Sequence, residues 1–246
     1  MAFASVGTLG TATDGTAGTT VVLTTSATCE AGNLAVLIYA GDNLSSSADD
    51  ADYGDVTSIT DSAGGNTWTK MKENSNNNAG AGNGVTVSVW YSVLTNQIAS
   101  GGTITANLNG SPTVSNLSAW EFTKDAGTTI SVEQTAVNSG DAADPAAISL
   151  AGMASREYLF IWGFASEQTN AGTFTADADY TDFDRNSSGV GAAAVVVWGG
   201  FRIATLTGDT INAATGTDRD YSQVLGALYE VSVSIKPKTL SILGVG

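Results

Sequence analysis

Acid chemistry is what this chain has in quantity: twenty-four aspartates and glutamates stand against nine lysines and arginines, with one cysteine and no histidine in 246 residues. The acids gather in two places. GDNLSSSADDADYGD carries Asp42, Asp49, Asp50, Asp52 and Asp55, and DADYTDFD carries Asp177, Asp179, Asp182 and Asp184. Closely spaced carboxylates on a polar loop are the ligand type that calcium takes. The spacing does not fit an EF-hand, because neither stretch has the bend glycine or the closing glutamate. A solvated acidic loop is the simpler reading of both. Glu121 and Glu157 differ in standing among apolar residues on expected strands, where a pair of acids held across a cleft could cleave a glycosidic bond. On an alternating strand each is expected to point to solvent instead.

The missing histidine removes the commonest general base and metal ligand, and with it the triad hydrolases and histidine–zinc enzymes. Cys29 has no histidine to activate it and no second cysteine to pair with. No enzyme activity is expected, and no cofactor, calcium being the one metal the acidic loops suggest. A net charge of −15 argues against nucleic acid, since phosphate binding needs clustered cations. No apolar run approaches the length of a membrane-spanning helix. The opening MAFASVGTLG lacks a basic stretch followed by an apolar core, so no secretory leader is expected.

The elements that would position these groups are strands. GVTVSVWY places Val85, Val87, Val89 and Tyr91 on one face and Thr86, Ser88 and Trp90 on the other, the two-residue period of a half-buried antiparallel strand. NLAVLIYA (33–40) and EYLFIWGFA (157–165) are nearly continuous apolar runs, expected as core strands buried on both faces. Further strands are expected near 19–26, 56–60, 66–72, 102–108, 113–123, 129–137, 192–205, 210–214 and 222–235. Gly199-Gly200 suggests a bulge or bend, and residues 141–153, with Pro145, a helical turn. Residues 1–20 suggest at most a short edge strand. About ten short strands without a long helix predict an all-β antiparallel sandwich, with residues 1–235 as one domain.

Of the five tryptophans, Trp68, Trp120, Trp162 and Trp198 lie in apolar runs that predict core positions. Trp90, on the face opposite the valines, is the ring expected to offer a ligand or subunit surface. The last residues, 236–246, read as an apolar arm: Lys236, Pro237 and Lys238 precede Leu240, Ile242, Leu243 and Val245. Such an arm is expected to dock on a neighbouring subunit, where an added strand satisfies both its backbone and its side chains.

The succession DSAGGNTWTK, VSVWYSV, GGTITANL and LSAWEF, within residues 33–123, resembles a theme of phage and prophage virion proteins: D-x-x-G-N-x-W/Y, then W-Y-A, G-x-x-T-V-T and an E-[FY] strand. The doubled Gly64-Gly65 and the Asn-rich stretch at 74–84 depart from it. The resemblance implies a lectin-like jelly-roll sandwich serving as a capsid decoration (cement), head-fibre or tail accessory protein. It implies a homo-oligomer, expected as a trimer, on the outer surface of the virion against the major capsid protein or other virion subunits, with no membrane or nucleic-acid partner. A carbohydrate-binding module of a tail fibre or adhesin, binding glycan through Trp90 or calcium-loaded loops, is the rival expectation. No catalytic or ligand residue carries over from the resemblance.

Overall fold

The computed structural model describes residues 3–42, 54–76, 84–141, 144–169, 172–188, 194–216 and 219–232. Its elements are all strands: β1 (Ala4–Asp14), β2 (Thr20–Thr24), β3 (Leu34–Asp42), β4 (Val56–Asp61), β5 (Thr69–Asn76), β6 (Val85–Val93), β7 (Thr103–Leu108), β8 (Ser115–Thr123), β9 (Thr128–Asp141), β10 (Ile148–Ser166), β11 (Thr181–Asp182), β12 (Asn186–Ser188), β13 (Val195–Ile211) and β14 (Asp220–Ser232). They form three antiparallel sheets. A central sheet runs β1-β8-β3-β6-β5; a large outer sheet runs β11-β13-β10-β14-β9, with β12 also on β13; a small outer sheet runs β2-β7-β4.

The central sheet is covered on both faces, and β3 shows how. Leu34, Val36, Ile38 and Ala40 point into a core shared with Leu159, Ile161, Val197 and Val224 of the large sheet. The alternate residues Ala35, Leu37 and Tyr39 point into a second core with Leu23, Val56, Ile104 and Ala106 of the small sheet. Every residue of β3 is buried, as its unbroken apolar sequence predicts. At about 25 cal/mol per Å² of apolar surface removed from water, this two-sided burial makes β3 the strand on which both cores depend. A third core lies on the far side of the large sheet, built on Tyr158, Phe160, Trp162, Phe164 and Trp198.

The expectation of stacked antiparallel sheets holds; several local expectations change. β3 and β10, the two nearly continuous apolar strands, lie in different sheets and face each other across the first core. Gly163 allows that approach: a Cβ there would meet Val89 Cγ2 at 2.7 Å. Gly199 stands directly opposite Gly163, and the β10–β13 register runs unbroken through Gly199-Gly200, so the doubled glycine makes no bulge. It makes room, since a Cβ on Gly199 would stand 2.4 Å from Ile38 Cδ1. The strands expected at 192–205 and 210–214 are one strand, β13. Residues 148–153 begin β10, and no helix occurs among the described residues. The N-terminal stretch, poor in apolar pattern, is the eleven-residue edge strand β1, held by backbone pairing to β8. β14 lies inside its sheet between β10 and β9, and β9 forms the edge.

Candidate functional site

Three acids of the chain meet three different environments. Asp61, at the end of β4, begins the DSAGGNTW turn and collects donors. Its Oδ1 accepts the Ala63 and Gly64 N–H groups and Asn66 Nδ2, each at 3.1 Å, and its Oδ2 accepts Trp68 Nε1 at 2.9 Å. Asn66 extends the network, because its Oδ1 accepts the Thr95 and Asn96 N–H groups at 2.9 and 2.8 Å. Asn96 Nδ2 in turn donates to the Gly64 carbonyl at 2.7 Å. Gly64 and Gly65 both have positive φ, 66° and 75°, a conformation glycine takes without steric cost. The residues that carry the resemblance therefore lock one turn to the next and anchor Trp68 in the second core.

Glu121, on β8, was expected at the surface. It is 2% exposed instead, because its face of the central sheet is covered by the loops around the small sheet. Its Oε1 accepts the Glu30 N–H at 2.9 Å and Asn33 Nδ2 at 2.7 Å. Buried Cys29 lies against it. Burial first, then the Glu121 charge, pushes the thiol's pKa upward, so Cys29 is held as an unreactive thiol. Glu157 stands apart from Glu121, half-buried, its Oε1 accepting the Phe3 N–H at 3.1 Å. The two acids do not form a pair across a cleft.

The third environment was not foreseen. Glu73 of β5 and Asp55, just before β4, are 1% and 4% exposed between the central and small sheets. A β-bulge at Met71 creates this site: the register shifts between Lys70 and Lys72, which returns Lys70 and Glu73 to one face although they are three residues apart. Lys70 Nζ lies 3.0 Å from Glu73 Oε2 and 5.4 Å from the centre of the Trp90 ring. Burial, then the nearby Asp55 charge, pushes the Glu73 carboxyl up to about 7, against the pull of Lys70. Tyr39 lies in the same row of the sheet, opposite Ser88, which is opposite Glu73. Burial raises its phenol as well. Asp42 is also buried and raised by burial, with the Thr113 hydroxyl donating to it. Asp49, Asp50 and Asp52 lie outside the described residues.

In the second acidic stretch the carboxylates diverge. Asp177 accepts the Asp179 and Asn212 N–H groups at 3.1 and 3.0 Å. Asp179 pairs with Arg202 at 3.1 Å, and Arg202 also pairs with Asp209 at 2.8 Å. Asp182 is raised by burial. These contacts fasten the start of the segment, where Tyr180 packs in the third core, while Phe183 further on packs in the first. Among the described residues, no three Asp, Glu, Cys or His side chains converge as a metal would require.

Trp90 is corrected outright. It is 6% exposed in the second core, with Nε1 donating to Ser88 Oγ at 3.0 Å. The alternation that separates Trp90 from the valines is real, but both faces of the strand are covered, so the face opposite a core is a second core. The partly exposed tryptophan is Trp120, beside Phe183 and Phe201. Lys236, Pro237, Lys238, Leu240, Ile242, Leu243 and Val245 lie outside the described residues.

A groove of about 270 Å³ lies between the two large layers, lined by Thr67, Thr69, Tyr91, Val93, Thr128 and Ile130 among others. It carries no charged side chain, and its Tyr91 phenol is raised by burial. Compared with protein-family models, curated proteins and solved structures, the chain matches none. The site geometry therefore has to be read on its own terms. The acids at Asp61, Glu121 and Asp177 hold the fold, Asp55 and Glu73 are sealed between sheets, and the groove is a neutral surface feature.

Proposed function

We propose that this chain is a structural virion protein of a tailed phage, a capsid decoration protein that works through contacts with other copies and with the shell. The observation that supports this most is the kind of surface the stack presents. β1 and β9, eleven and fourteen residues long, are edge strands of the two large sheets, β9 being bridged to β5 at one end by Asn74 and Asn76, and open edges are templates for contact with another chain. The outer face of the small sheet presents Thr20, Val22, Thr24, Ser58 and Thr60, all exposed and uncharged. A surface of neutral hydroxyls beside unpaired strand edges suits association over broad areas, which stable protein interfaces require. The overall charge of −15 keeps many displayed copies soluble. The reading includes a jelly-roll core made of the two large sheets, with the small sheet added outside, and a trimeric assembly.

The resemblance carried by DSAGGNTWTK supports the same reading, since its residues form a fold-determining turn. The glycan-binding alternative rests on Trp90 or on calcium-loaded acidic loops; the Trp90 ring is inside the second core, and Asp49, Asp50 and Asp52 lie outside the described residues. The test is addition of purified protein to undecorated phage capsids. Saturable binding that raises the temperature at which the shells open is the expected result. A monomer that neither binds nor stabilises shells, yet binds a glycan saturably, would reject the proposal.

A further inference from the structure

The flank of the molecule where the central and large sheets end side by side is closed at one end and open at the other. The strands involved are β5 and β9, each the last strand of its sheet. At the closed end Asn74 and Asn76 of β5 reach across to β9. Asn74 Nδ2 donates to the Asn138 carbonyl at 3.2 Å and to Ser222 Oγ at 2.8 Å, and Asn76 Nδ2 donates to the Gly140 carbonyl at 2.6 Å. These amides join the two layers where no backbone ladder does. At the other end, around Thr69 of β5 and Thr128 of β9, the flank opens into the groove.

The groove lies where β14 delivers the end of the described chain: Ser232, the last described residue, is paired with Thr128 on the groove wall. Fourteen residues follow it, 233–246, with aliphatic side chains at Leu240, Ile242, Leu243 and Val245. We propose that the groove is the docking site of this C-terminal segment of the same chain, its aliphatic residues seated against Tyr91, Val93 and Ile130 along the open ends of β5 and β9.

Three observations carry the assignment. The first is size: about 270 Å³ is at the small end of the roughly 300–1,000 Å³ of small-molecule sites, and suits a few aliphatic side chains. The second is chemistry. Threonine methyls, Val93, Ile130 and the Tyr91 ring offer apolar contact, and the adjoining strand edges offer backbone groups to an extended segment. The third is proximity. A segment leaving from the groove wall has an effective local concentration on the order of millimolar, far above that of a second copy in dilute solution. The proposal does not depend on the virion reading. A segment that docks on its own protomer could exchange between copies on assembly, but the docking itself is tested in the isolated chain.

The experiment traps the contact in the full-length protein. Thr129→Cys on the exposed groove rim is combined with Leu243→Cys, Cys29 being left in place because it is buried. The control pairs Leu243→Cys with Val6→Cys on the far edge strand, where Val6 is 54% exposed. Oxidation at low micromolar concentration should give an intrachain disulfide at least tenfold faster in the groove pair than in the control. In unmodified protein, amide exchange of residues 233–246 should be slowed relative to a free peptide of that sequence, and Ile130→Asp should abolish the slowing while the strand amides stay protected. Equal cross-linking rates, interchain products alone, or peptide-like exchange in the unmodified protein would each overturn the proposal.

Discussion

Asp61, at the end of β4 in the small sheet, and Glu73, on β5 of the central sheet, sit in opposite physical situations. Asp61 lies at a turn and receives four N–H donors. Its charge is solvated by the protein and tied to the geometry of the turn. Glu73 lies between two sheets with a second acid, Asp55, beside it and Lys70 as the cation in contact. Its charge has lost water without gaining comparable donors, so its proton is held to near neutrality. Burial alone does not separate the cases, because Glu121 is as buried as Glu73 and yet has donors of its own. What separates them is the supply of N–H groups pointed at the carboxylate.

The comparison can be broken by substitution. Asp61→Ala leaves the turn amides and the Trp68 indole without their acceptor. A loss of about 3 kcal/mol is expected, read as a fall in Tm of roughly 6–12 °C. Glu73→Gln should act in the other direction. The folded Glu73 carboxyl is raised from its ordinary 4.5 to about 7, so its contribution is fully present below pH 4.5 and is lost as pH rises through 7. Relative to the unmodified protein, the glutamine variant should gain about 3 kcal/mol between pH 4.5 and pH 8, the pull of Lys70 being already contained in the midpoint of about 7. Denaturant unfolding at several pH values checks this, and a gap that does not change with pH would contradict it.

Glu121→Gln keeps an acceptor for the Glu30 and Asn33 donors but removes the charge, and should cost about 1 kcal/mol. A loss as large as that of Asp61→Ala would mean that burial, not donor supply, sets the effect. Lys70→Met is the smallest change. Removing the cation that opposes the rise should move the midpoint of the Glu73-dependent pH response above 7, and an unmoved midpoint would show that Lys70 does not act on Glu73.

How much of this was readable beforehand follows the range of the interactions. The two-sided burial of β3 is written in NLAVLIYA, because a strand with no polar alternation has no face it can leave in water. The turn at DSAGGNTW is likewise local: Asp61 and the groups it accepts lie within seven residues. Trp90 was misread because alternation reports that two faces differ, not what covers each of them. Gly199-Gly200 was misread for a similar reason. A glycine on a strand signals either a bulge or a close approach, and only the opposing Ile38 and Trp162 decide between them. β1 was expected as no more than a short edge strand, because its hold on the fold is backbone pairing with β8, more than a hundred residues away.

The amino-acid order by itself determined that the chain is built of antiparallel strands, that β3 is enclosed, and that the Asp61 turn forms, since each depends on periodicity or on neighbours within one turn. Only the tertiary structure decided that the central sheet is covered by a layer on either side. That stacking put Trp90 inside, brought Asp55 against Glu73, and left the ends of β5 and β9 open beside the point where the described chain stops. Each of these depends on which surfaces exclude water from one another. That is a property of the packed layers and not of any segment alone.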